Sequence, residues 1–173
     1  MSERRTILAI DPGNVQSAWL LYDPASHRVR EKAIVSNAML LAMLRLSDEM
    51  LPGPNGTLAI EMIASYGMAV GKTIFETCVW IGKFVEAWEN RGGVSSFVYR
   101  RDVKLHLCMN CRAKDSNVRQ AIIDLFPASG VGAIPQIGTK KAPGPLYGIS
   151  KDLWAALGVA LTFAAGQAEK AGG

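Results

Sequence analysis

Two short apolar segments, Ile7-Leu8-Ala9-Ile10 and Leu58-Ala59-Ile60, each run directly into an acid, Asp11 and Glu61. Short continuous apolar runs bounded by turn signals read as strands buried on both faces. A carboxylate at the end of such a strand is costly to bury unless something compensates its charge. Set side by side and parallel, the two strands bring both acids out at one edge of a sheet, where ligands of open α/β folds collect. A parallel pairing needs a long crossover, and the chain between the two segments supplies one that includes a helix.

The rest of the chain reads around this pair. Thr6 to Asp11 predicts the first strand and Gln16 to Tyr22 the second, joined by the turn Asp11-Pro12-Gly13-Asn14. Asp23-Pro24-Ala25-Ser26 turns the chain into a third strand, Arg28 to Val35, and such short connections make an antiparallel meander. Ser36 caps a helix from Asn37 to Met50, which carries Leu40, Leu41 and Leu44 at helical spacing and stops at Pro52-Gly53-Pro54-Asn55-Gly56. Thr57 to Glu61 is the fourth strand. Val70, Ile74, Cys78, Ile81, Val85 and Trp88 then form an amphipathic stripe that ends at Gly92-Gly93. Val94 to Tyr99 is the fifth strand, followed by helices at Val103 to Cys108 and Ser116 to Phe126. Residues 128–149 are rich in glycine and proline and are expected to form a long surface loop. The last helix spans Ser150 to Lys170. These elements predict one α/β domain over residues 1–173, a mixed five-stranded sheet with helices on both faces.

Charge adds a partner class. The formal net charge is only +4, but Arg100, Arg101, Lys104, Arg112, Lys114 and Arg119 face just Asp102 and Asp115 within one segment. Clustered cations of this kind release counterions from a polyanion, which makes the segment the first candidate for nucleic-acid contact. No apolar stretch approaches the roughly 20 residues of a membrane helix, and no signal-peptide core is visible, so a soluble cytoplasmic protein is expected. Three cysteines argue against a disulfide framework, and Cys108-Met109-Asn110-Cys111 has no second pair to complete a zinc site. Gly71-Lys72-Thr73 suggests a phosphate-binding loop, but Tyr66 stands where that loop requires glycine.

A third acid, Asp152, falls in the first turn of the last helix, with Ser150 as its cap. Packing that helix on the sheet would bring three carboxylates together. Hydrolysis of a phosphodiester needs an activated water and charge stabilisation on the leaving oxygen, and two Mg²⁺ ions about 3.5–4 Å apart supply both. Carboxylate oxygens are the hard ligands that metal takes. Plainer explanations exist for two of the acids: Asp11 serves its turn, and Asp152 complements a helix dipole.

Taken together, Ile7-Leu8-Ala9-Ile10-Asp11-Pro12-Gly13, Leu58-Ala59-Ile60-Glu61, Asp102-Val103-Lys104 with Ala113-Lys114, and Asp152-Leu153-Trp154-Ala155-Ala156-Leu157-Gly158 resemble, in order and spacing, the RuvC-type Holliday junction resolvases. The resemblance covers almost the whole chain. It implies a ribonuclease H-like fold and a homodimeric, metal-dependent endonuclease that nicks branched DNA such as four-way junctions. Asp11, Glu61 and Asp152 would hold Mg²⁺, with Mn²⁺ able to substitute. Lys104 and Lys114 would contact DNA, as would Arg101, Lys140 and Lys141, and Tyr66 would wedge between bases. The stretch Gly138-Thr139-Lys140-Lys141-Ala142-Pro143-Gly144-Pro145-Leu146-Tyr147 is similar to bacteriophage members, which implies a bacterial host cytoplasm. One departure stands out. Members commonly carry two aspartates three residues apart in the last helix, and here the second position is Ala155. A substitute ligand such as Asp115, or a catalytically silent protein that still binds branched DNA, are the alternatives this departure opens. A nucleotide-binding relative of the actin-like proteins is a third reading, for which the chain is too short.

Overall fold

A computed structural model describes residues 6–46, 51–53 and 56–172. Five strands form one sheet in the order β3-β2-β1-β4-β5: β1 (Ile7–Asp11), β2 (Gln16–Asp23), β3 (Arg28–Ser36), β4 (Thr57–Met62) and β5 (Val94–Tyr99). The first three pair antiparallel through their short turns, whereas β1–β4 and β4–β5 pair parallel across helical crossovers. This is the mixed sheet that the turn and crossover lengths predict.

Alternation along the strands divides the core. Leu8, Ile10, Trp19, Leu21, Leu58 and Ile60 point to one face, where they meet α1 (Asn37–Arg45) and α2 (Lys72–Glu89). Ile7, Ala9, Ala18, Leu20, Ala59 and Val98 point to the other, under α3 (Arg100–Cys108), α4 (Asp115–Leu125) and α5 (Leu153–Gly172). Small residues at Ala9, Ala18 and Ala59 let α5 approach the sheet closely, and its Ala156, Leu157, Val159 and Ala160 are fully buried. Near-continuous burial of β1, β2 and β4 follows from having helices on both sides.

Several boundaries differ from the sequence expectation. Ser36 does cap α1, accepting from the Met39 amide at 3.3 Å, and the predicted tail of that helix at 47–50 lies outside the described residues. The buried face of α2 is Thr77, Ile81, Phe84, Ala87 and Trp88, so the predicted stripe through Ile74, Cys78 and Val85 is only half-buried, and Val70 precedes the helix. That helix is apolar on more than one side, as exposed Phe75 and Val79 show, so spacing alone does not select its core face. Beyond it, the Trp88 indole N–H donates to the Val94 carbonyl at 3.2 Å, and Gly93 is obligatory because a Cβ there would lie 2.3 Å from the indole nitrogen.

The last helix also starts later than predicted. Residues 150–152 form a turn with Lys151 in the left-handed region (φ 48°), and the Asp152 carbonyl accepts from the Ala156 amide at 3.0 Å. Asp152 is thus the residue flanking the helix, in the cap position expected of Ser150. The loop over 128–149 is ordered around a close pairing of Gly138 with Pro143 and anchors on buried Leu146 and Ile149. Among the described residues, no helix is long and apolar enough to cross a membrane. All three cysteines are free thiols.

Candidate active site

The parallel register of β1 and β4 runs from Ile7↔Thr57 to Ile10↔Ile60, so Asp11 and Glu61 are the next pair along it. Each follows, by alternation, the small residue two positions earlier, Ala9 or Ala59, and both of those face α5. Both carboxylates therefore sit at the carboxyl ends of adjacent strands, on the face that α5 covers and near the end at which Asp152 begins it.

The electrostatics record this crowding. Burial, reinforced by the charges of Glu61 and Asp152, pushes the Asp11 carboxyl up to about 8, with Arg100 opposing and Asp115 adding to the rise. Glu61 is also raised by burial, against the pull of Arg100 and Lys104. Asp115, the first residue of α4, is held low by its hydrogen bond to Arg100 at 2.5 Å. Arg100 opens α3 directly after β5, and its other terminal nitrogen lies 3.9 Å from Glu61 Oε2. Both that nitrogen and Glu61 Oε2 are buried without a hydrogen-bond partner. Among the described residues, no three His, Cys, Asp or Glu side chains are gathered into a group that could hold a metal ion as they stand. The acids here are spaced by a guanidinium that belongs to the protein.

A hydrogen-bond network fixes the turn that carries Asp11. The Gly13 amide donates to Ser17 Oγ at 3.2 Å, Ser17 Oγ donates to Asn37 Oδ1 at 2.7 Å, and Asn37 Nδ2 donates to the Gly13 carbonyl at 2.9 Å. Ser17 and Asn37 are both buried. Gly13 itself has no room for a side chain, since a Cβ would meet the Gln16 carbonyl oxygen at 2.4 Å. Asn14, next in the turn, donates to Glu76 of α2 at 3.3 Å.

The basic residues singled out in the sequence divide into two groups. Lys104, partly buried on α3, is close enough to lower Glu61, and Arg101 is exposed on the same helix. Lys114 flanks the start of α4 and is exposed. Lys140 and Lys141 are exposed in the loop that Gly138 and Pro143 close, and neither is among the charges that shift Asp11 or Glu61. Tyr66 lies in the loop after β4, exposed and with a left-handed φ of 47°. Sequence reading counted Arg100 only as one cation of the basic segment and did not see Asn37 or Ser17 as parts of the site. The direct junction of β5 to a helix was the missing signal for Arg100.

Among solved structures, the chain is similar to Thermus thermophilus RuvC, with 18% identity, a TM-score of 0.58, and coverage of 91% of this chain and 92% of that one. It is also similar to T. thermophilus RuvC in complex with Holliday junction substrate, with 17% identity, a TM-score of 0.62 and the same coverage. At such identity the likeness establishes the fold, which is the ribonuclease H-like mixed sheet with helices on both faces. No protein-family model and no curated protein matches the sequence.

Proposed function

We propose that this chain is a divalent-metal-dependent endonuclease that nicks branched DNA, most simply a four-way junction, by hydrolysing phosphodiester bonds. The observation that carries this reading is the neighbouring pair Asp11 and Glu61, one step beyond the paired register of β1 and β4, with Glu61 Oε2 buried and without a hydrogen-bond partner. Burying two acids side by side is unfavourable unless a cation joins them, and their hard oxygens suit Mg²⁺, with Mn²⁺ able to substitute. Asp11, Glu61 and Asp152 would hold the metal, which supplies an activated water and charge stabilisation on the leaving oxygen. Asp115, tied through Arg100 to the same cluster, would supply a fourth carboxylate in place of the one absent at Ala155.

The remaining roles fall to the chain's own cations and aromatics. Lys104, whose charge reaches Glu61, would hold a phosphate beside it, and Arg101 and Lys114 would extend the positive surface along α3 and α4. Lys140 and Lys141 engage phosphates farther from the cut, and Tyr66 supplies a stacking face at the branch. A homodimer through the exposed Phe75 and Val79 of α2 would match the twofold symmetry of a junction. In this reading residues 1–173 act as one nuclease domain in a bacteriophage-type resolvase working in the host cytoplasm.

A synthetic four-way junction, incubated with Mg²⁺, Mn²⁺ or chelator, tests the proposal. Nicking with either metal, and none with chelator or with Asp11→Asn, is the expected result. The alternative, a silent branched-DNA-binding protein, is favoured by Ala155 and by the guanidinium already set against Glu61. It predicts salt-sensitive junction binding with no nicking under any metal condition.

A further inference from the structure

Beside the carboxylates, and separate from them, an open cleft of about 350 Å³ is lined by Ala64, Tyr66, Tyr99, Arg101, Asp102 and Leu105. It lies between the exits of two neighbouring strands: Ala64 and Tyr66 follow Glu61 out of β4, and Tyr99, Arg101 and Asp102 flank Arg100 at the end of β5. Its volume is at the lower end of small-ligand sites. Tyr66 is 58% and Tyr99 37% exposed, and neither ring stacks on another aromatic ring among the described residues. Tyr66 is held there in a left-handed backbone conformation that a bulky side chain rarely adopts. Val103 is the residue that α3 buries, which leaves Arg101, Asp102 and Leu105 outward. Among the described residues, neither Arg101 nor Asp102 enters an ion pair.

We propose that this cleft takes one unstacked guanine base of a branched DNA, and so sets the sequence at which the strand is engaged. The inference rests on the branched-DNA reading above and adds to it the base that is read. Two tyrosine rings that stack on no other ring, with Ala64 and Leu105 as apolar lining beside them, suit a base leaving its stack, since every base has a π-face. The polar groups then select among bases. A carboxylate accepts two hydrogen bonds side by side, and guanine alone presents two adjacent donors, N1–H and the 2-amino group, on its pairing edge. A guanidinium donates to acceptors, and guanine O6 and N7 are its usual partners. Cytosine and adenine offer Asp102 an amino group beside an acceptor, and thymine offers a single N–H between two acceptors. Asp102 is therefore the specificity-determining residue, Arg101 the second reader, and the tyrosines the clamp.

Fluorescence anisotropy in chelator, where no strand is cut, tests this directly. The probes are four-way junctions carrying one unpaired guanine, adenine, cytosine, thymine or hypoxanthine at the branch. Guanine should bind about tenfold tighter than the other natural bases, the scale of one bidentate base contact. Hypoxanthine, which lacks only the 2-amino group, should lose most of that advantage. Asp102→Asn should bind guanine and hypoxanthine alike. Tyr99→Ala should weaken all five probes together. Equal binding of all five by the wild type, or a guanine preference that survives Asp102→Asn, overturns the proposal. Equal binding of all five probes in chelator, with nicking of the same junctions once Mg²⁺ is added, would sink the cleft assignment alone. Base-selective binding in chelator with no nicking once Mg²⁺ or Mn²⁺ is added would sink the nuclease reading and leave the cleft standing. Failure to bind any junction overturns both.

Discussion

Arg100 Nη1 lies 3.9 Å from Glu61 Oε2, and both atoms are buried with no hydrogen-bond partner, while the other end of the guanidinium is bonded to Asp115. Arg100 is the counter-charge that lets Glu61 sit at a buried strand end. A divalent cation held by Glu61 would do the same task, so the two cations would be energetic substitutes.

Arg100→Met should therefore lower the stability of the metal-free protein by about 1–3 kcal/mol, the cost of leaving a partly buried carboxylate unpaired. Millimolar Mg²⁺ should restore more of the melting temperature in the variant than in the wild type, because the ion binds the native state. Thermal unfolding with and without Mg²⁺ reads both effects. An identical Mg²⁺ response in the two proteins would show that Arg100 and the metal do not share Glu61.

Asn37→Ala should act on the site from a distance. Asn37 bridges Ser17 to the Gly13 carbonyl, and removing its amide leaves both buried groups short of a partner. A loss of about 1–3 kcal/mol in unfolding free energy is expected. Because the turn carries Asp11, junction nicking at a temperature where the variant is fully folded should fall more than junction binding does. Equal loss of both would reduce Asn37 to a purely structural role.

How far the sequence carried depends on the distance over which each feature is encoded. Asp11 and Glu61 were legible because an apolar run and its terminal acid are contiguous, and strand order followed from turn and crossover lengths. Asn37 and Ser17 were not, because their partnership joins a helix start to a strand start twenty positions earlier, with no periodic signal. The core face of α2 was misread through Ile74, Cys78 and Val85 because the helix is apolar on two sides, and only tertiary packing chooses Phe84 and Trp88 over Phe75 and Val79. The start of α5 shifted past Ser150 because Lys151 takes a left-handed conformation that its side chain does not announce.

Asp23 predicts acid sensitivity outside the site. It is buried at the β2–β3 turn, where it accepts from the Ala25 amide at 3.0 Å, the Ser26 hydroxyl at 2.8 Å and Arg30 Nε at 3.1 Å. These donors, Arg30 foremost, hold its carboxyl down at about 2 against an ordinary 3.8. A lowered native value means that the stabilisation is complete above pH 4 and disappears as pH falls towards 2. Asp23→Asn should be less stable than the wild type at pH 7 by about 1–3 kcal/mol, with the gap closing between pH 4 and 2. A gap that persists unchanged at pH 2 would assign the effect to packing and not to charge.

Asp11 predicts the opposite slope. Its folded value of about 8 lies above its ordinary 3.8, chiefly through burial and then through Glu61 and Asp152. The folded state thus holds this proton more tightly than the unfolded chain does. The resulting stability is present in full below pH 4 and is lost as pH rises towards 8. Without divalent ions, Asp11→Asn should escape this loss and unfold about 1–2 kcal/mol later than the wild type at pH 8, the usual gain from relieving one unfavourable site. At pH 4, where Asp11 is neutral in the folded protein, the two should be nearly equal. Adding Mg²⁺ at pH 8 should reverse the order, because the wild type gains from binding while the variant has lost a ligand. Denaturant unfolding at the two pH values, with Mg²⁺ or chelator, distinguishes the cases. A variant less stable than the wild type in chelator at pH 8 would show that Asp11 supports the fold, and that the strand-end pair is not held under electrostatic tension for a cation.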